Sequence, residues 1–92
     1  MSPSRDRTLA RIHRSPTPAD IRWQDLISTL KFHGVEVTER KGSRVGLRLG
    51  DERMVVHRPH PGSVTGRATV RDIAGFLKAA GIVVIQEQDD DG

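Results

Sequence analysis

Three short runs of alternating apolar and polar residues, joined by turns too short to hold a helix, restrict this chain more than any other feature. Val35 and Val37 alternate with Glu36 and Thr38, and Val45, Leu47 and Leu49 alternate with Arg44, Gly46 and Arg48. A third run, Arg53-Met-Val-Val-His57, follows closely. Period two is the spacing of a strand with one buried face. Lys41-Gly-Ser43 and Gly50-Asp-Glu52 supply the turns, whereas parallel neighbours need a crossover of about a dozen residues or more. An antiparallel meander is the economical reading. With Val45, Leu47 and Leu49 turned toward a core, Arg44 and Arg48 project from the opposite, wet face.

Helical patterns flank the meander. Trp23, Leu26, Ile27 and Leu30 recur at i, i+3, i+4 and i+7, the stripe of an amphipathic helix. The spacing predicts a helix from Asp20, as its cap, to His33, stopped by Gly34. Thr69-Val-Arg-Asp72 has capping-box spacing and opens a second stripe of Val70, Ile73, Ala74, Leu77 and Ala80, closed by Gly81. Arg58-Pro-His-Pro-Gly62 lies between sheet and helix, where two prolines cannot donate to a ladder. Ile82-Val-Val-Ile85 reads as an extra C-terminal edge strand or as a segment packed over the core. Its four β-branched residues favour the strand.

The order is therefore α-β-β-β-α, an α+β fold in which two helices bury their stripes on one face of a three-stranded antiparallel sheet. Double-stranded-RNA-binding folds share this layout. Residues 1–19, rich in Arg, Ser and Pro, have little to bury and read as a flexible segment, with at most one helical turn at Thr8–His13. The folded domain is expected over residues 20–86, followed by an acidic tail at 87–92.

Charge separates the two. Four of the twelve acids fall in the last six residues, leaving fifteen basic against eight acidic side chains, or +7, over residues 1–86. Twelve of the fifteen are arginine, whose planar fork suits phosphate better than mere solubility requires. A positive body fits a nucleic-acid binder; a soluble domain with one charged face fits as well. Absence of cysteine excludes disulfides and thiolate metal sites. No apolar signal or membrane span is visible, so the chain reads as a bacterial-style cytoplasmic protein without membrane contact.

The helix ending Leu30-Lys-Phe-His-Gly34, the Lys41-Gly-Ser43 turn, the Pro59-His-Pro61 segment and the Thr69-Val-Arg-Asp-Ile73 helix start occur in an order and spacing that resembles the HicA toxins of bacterial toxin-antitoxin systems. The resemblance covers residues 20–82. It implies a double-stranded-RNA-binding-like fold, ribosome-independent cleavage of mRNA, and neutralisation by a HicB-type antitoxin. HicA toxins typically read Gly-Ser-His where this chain reads Gly42-Ser43-Arg44, and the resemblance places catalysis on that histidine.

The change matters chemically. Attack of a ribose 2′-hydroxyl on the adjacent phosphate needs a group that exchanges a proton near neutral pH. Arginine can stabilise the phosphorane charge but cannot act as that base. Two histidines at the end of the third strand are candidates to replace it, His57 and His60, each with Arg44 as phosphate clamp. His57 faces opposite to Met54 and Val56, and the sequence leaves open which set is buried. By the resemblance, His60 corresponds to the family's Pro-x-His segment; from the residues alone it reads more simply as a rigid-turn histidine that hydrogen-bonds locally. His57-x-x-His60 on a proline-broken loop lacks fixed geometry and a third ligand for a metal. Neither metal nor small-molecule cofactor is expected.

RNA contacts are expected from Lys41, Ser43, Arg44, Arg48 and Arg58. Ser43 reads more simply as a turn serine than as a nucleophile. Trp23, on the apolar stripe, reads as a core-edge anchor rather than a stacking platform. With only Phe32 and Phe76 besides, backbone and shape contacts to RNA are favoured. Arg5, Arg7, Arg11 and Arg14 form either a binding arm or a solvated tail. Three functions fit: a HicA-like endoribonuclease toxin, a catalytically inactive relative that binds RNA, and a protein-interaction domain for an antitoxin.

Overall fold

The computed structural model describes residues 5–60 and 62–83. Helix α1 spans Arg5–Ile12, α2 Trp23–Phe32 and α3 Arg67–Ala79; strands β1, Glu36–Arg40, β2, Arg44–Leu49, and β3, Glu52–His57, lie between α2 and α3. The strands form one antiparallel sheet in the order β1-β2-β3, so the expected meander and α+β fold hold. Val45, Leu47 and Val56 point to one side, where they pack with Leu26 and Leu30 of α2 and Val70, Ile73, Phe76 and Leu77 of α3. On the other side of the sheet Thr38, Arg40, Arg44, Arg48, Arg53, Val55 and His57 are exposed.

Both α2 and α3 begin elsewhere than their capping signals suggest. Asp20 does not cap α2: the helix starts at Trp23, after an extended Arg22 with no side-chain cap, and Asp20 instead pairs with Arg11. The cause is a tie between distant segments. Arg22 forms an antiparallel bridge with Val64, Trp23 N–H donates to Ser63 O at 3.0 Å, and Thr65 N–H donates to Ile21 O at 2.7 Å. These bonds hold residues 21–22 extended. The same tie shifts α3, which begins at Arg67 after an extended Gly66, leaving Thr69 inside the first turn rather than at a capping box. Both glycine stops behave as expected, Gly34 at φ +93° and Gly81 at φ +90°, a region in which a side chain is disfavoured.

The N-terminal segment contributes more than its composition suggested. In place of one turn at Thr8–His13 it forms the eight-residue α1, which rests on α2 and α3. Leu9 and Ile12, one helical turn apart, join the core, and Ile12 is 1% exposed. Two apolar side chains at i and i+3 suffice to dock a short helix when the receiving surface is already apolar. At the other terminus, Ile82 packs against the core and Ile82–Val83 have no strand partner; Val84 and Ile85 of the expected edge strand, and the acidic tail, lie outside the described residues.

His13 fastens the two ends together, its Nε2 donating to Ile82 O at 3.2 Å. Burial holds its pKa below the usual value of 6.5; the Lys78 charge acts in the same direction and the hydrogen bond to Ile82 opposes both. The unfolded chain therefore binds this proton more readily than the folded one. We expect stability to fall as pH drops below 6.5, through the lowered pKa, and His13→Gln, which keeps a donor without titrating, to flatten that part of the pH profile of the thermal midpoint. Ile12→Ala should cost about 2–5 kcal/mol, the range for emptying a buried aliphatic site, read as a fall in the denaturant midpoint.

Candidate nucleic-acid interface

The site begins at the β1–β2 turn. Lys41–Ser43 form a single 3-10 turn in which Gly42 and Ser43 both take left-handed angles, φ +70° and +62°. Glycine does so freely, whereas for serine the conformation costs about 1 kcal/mol or more. Two hydrogen bonds hold it, one from the residue after β3 and one from the head of β2: Arg58 N–H donates to Ser43 O at 2.7 Å and Arg44 Nε to Lys41 O at 3.2 Å. The turn fixes the register, pairing Arg40 with Arg44, and β3 continues it by pairing Arg44 with His57.

That register writes the open face of the sheet as three rows. Arg40, Arg44 and His57 stand at the turn end, Thr38, Gly46 and Val55 in the middle, and Glu36, Arg48 and Arg53 at the far end. Cross-strand neighbours have Cβ atoms about 5 Å apart, so Arg44 and His57 are adjacent on one surface. The His57 set is thus the exposed one, and Val56 is the buried member of its strand. The small middle row leaves a depression of about 670 Å3 between the two charged ends. Arg40 leans into it over Gly46, where a Cβ would lie 2.8 Å from Arg40 Nε. Any larger residue at 46 must displace that guanidinium. Of the four arginines, Arg48 is paired, with Glu36 at 3.2 Å.

Ser43, Arg58 and His60 lie elsewhere. With Trp23, Gln24, Glu39, Pro59 and Gly62 they line a groove of about 830 Å3 at the rim of the sheet. Residues 57 and 58 point to opposite sides, as successive strand residues must. Arg58 Nη1 therefore bonds Glu39 Oε1, at 2.5 Å, away from the open face. The loop that carries His60 is held by Ser63 N–H donating to His60 O at 3.0 Å and by the tie to the start of α2.

The expected residues thus separate into Arg44, Arg48 and His57 on the sheet face and Ser43, Arg58 and His60 in the groove, with exposed Lys41 in the turn between them. Arg40 and Arg53 were missed by the sequence reading. Their signal was the same alternation that exposed Arg44 and Arg48, carried onto the two outer strands. Among the described residues no group of three or more His, Asp or Glu could hold a metal ion, and no helix is long and apolar enough to cross a membrane.

No curated protein and no solved structure matches the chain. A family model described as "HicA toxin of bacterial toxin-antitoxin" matches residues 23–82, more than half of the 92. The matched stretch runs from the first residue of α2, through the whole sheet and its arginine face, to the end of the α3 stop, and it brings with it an antitoxin as partner. This chain belongs to the HicA toxin family.

Proposed function

We propose that the chain is a toxin that binds and cleaves mRNA as an endoribonuclease and is neutralised by a HicB-type antitoxin. The observation that carries the reading is the pairing of His57 with Arg44 across β2 and β3, a proton acceptor beside a fixed cation. Four arginines on the same face supply phosphate affinity.

In the step these groups suit, His57 takes the proton of a ribose 2′-hydroxyl and the oxygen attacks the adjacent phosphorus. Arg44 balances the charge that builds on the phosphorane oxygens. The bond from phosphorus to the 5′-oxygen breaks, leaving a 2′,3′-cyclic phosphate. The departing oxygen takes its proton from the imidazolium or from water. The toxin would thus draw its base from β3, where the resemblance to HicA toxins puts a histidine at the position of Arg44. Arginine at that position also favours a second reading, a catalytically inactive relative that binds RNA or a protein partner.

Expression in bacteria, with growth and mRNA integrity followed together, separates the two. The expected outcome is growth arrest and message fragmentation that persist in His60→Ala and disappear in a folded His57→Ala, with a loss of about 100-fold or more in cleavage rate for a missing general base. Cutting should continue in a metal chelator. Loss on Arg44→Ala with both histidine variants fully active would remove His57 from its role, and a harmless wild type with whole messages would favour the second reading. For binding, Arg40→Ala and Arg53→Ala should each reduce the slope of log affinity for single-stranded RNA against log salt by about 0.7, measured by fluorescence anisotropy.

A further inference from the structure

We propose that the groove at the rim of the sheet is a guanine-binding site, formed by Glu39 and Arg58 with Trp23 as its stacking wall. The role in RNA recognition rests on the ribonuclease reading above; the base site itself does not. The open face can grip phosphates, but phosphate contacts position a nucleic acid without reading its sequence. Base recognition needs donors and acceptors in a concave place with an aromatic wall, and the groove has both.

Glu39 is an acceptor with two oxygens and about four lone-pair sites. Arg58 Nη1 uses one of them, at 2.5 Å. The carboxylate keeps capacity for two further donors, and Arg58 keeps four of its five N–H groups. Side by side, the pair offers a double acceptor next to a donor. Guanine presents the complement on its pairing edge, the adjacent donors N1–H and N2–H beside the acceptor O6. Adenine puts an unprotonated N1 against the carboxylate, cytosine an unprotonated N3, and uracil a single N–H between two carbonyls. Only guanine satisfies both partners without leaving a lone pair facing Glu39.

The surroundings support such a ligand. Arg58 and Glu39 side chains are 42% and 65% exposed, so their free edges are open to it. Trp23, half-buried at the start of α2, lines the same groove, and an indole face can stack on a base of any sequence. The site is preformed: the left-handed Ser43 carbonyl is tied to Arg58 N–H, and the loop through Ser63 and Thr65 is tied to the start of α2. A strained serine held in place by its neighbours is a recurrent mark of a ligand site.

Trp23 is the chain's single tryptophan, so its fluorescence reports the groove. Titration with guanosine, adenosine, cytidine and uridine 5′-monophosphates should show saturable quenching by the guanosine nucleotide at a concentration at least about ten-fold lower than by the others, a difference of about 1.4 kcal/mol. Glu39→Gln, which keeps the shape and loses the double acceptor, should abolish that preference, while Asp51→Asn in the β2–β3 turn keeps it. Equal response to all four nucleotides, or a preference unchanged in Glu39→Gln, would overturn the proposal. Oligouridine carrying one guanosine distinguishes the sources: tighter binding than oligouridine alone places the guanine in RNA, and selectivity for the free nucleotide alone makes the ligand a mononucleotide. Message cleavage without guanine preference would sink the site and leave the nuclease; guanine selectivity with whole messages would do the reverse.

Discussion

The alternation along β2 governs the rest of the molecule. Val45 and Leu47 are each 1% exposed at the centre of the core, and the strand lies between two others. A slip of one residue would turn both toward water and bring Arg44 and Arg48 against α2 and α3. Burying such cations without partners costs several kcal/mol each. The register is therefore strongly defended, and a basic face is the consequence of an apolar one. The Gly42-Ser43 turn, with its left-handed pair, sets the same register from the end of the hairpin.

Arg44 at the head of β2 and His57 beside it decide what that face can supply. Arginine is a permanent charge and histidine a titrating group, so on the reading proposed above the two tasks fall to facing residues on neighbouring strands. Arg44 Nε is already engaged by the Lys41 carbonyl, which fixes one side of the guanidinium and leaves its other N–H groups to an anion.

Local period was legible in the sequence and long-range ties were not. The strands, their turns, the positions of Arg44 and Arg48 and both glycine stops follow from patterns a few residues long. The placement of His57 needed only the answer to which alternate set of β3 is buried, and the β2–β3 register gives it. The helix starts were misplaced because residues about 40 apart decide them, Ile21 and Arg22 bonding Val64 and Thr65. No cap motif carries that information. For the same reason Arg58 and His60 could not be assigned to a groove with Trp23, which stands 35 residues before Arg58 in the chain. Arg40 and Arg53 were readable in principle, as the outer-strand neighbours of Arg44 and Arg48.

Helix α1 separates two notions of a domain that usually coincide. The stretch shared with the HicA family begins at Trp23, yet the core is completed by Leu9 and Ile12 and by Ile21. What is inherited as a pattern is thus smaller than what folds as a unit. In this chain α2 and α3 have given up part of their water-facing side to a helix of their own sequence. Cut back to the shared segment, the chain would turn out to water the apolar surface that Leu9 and Ile12 now cover.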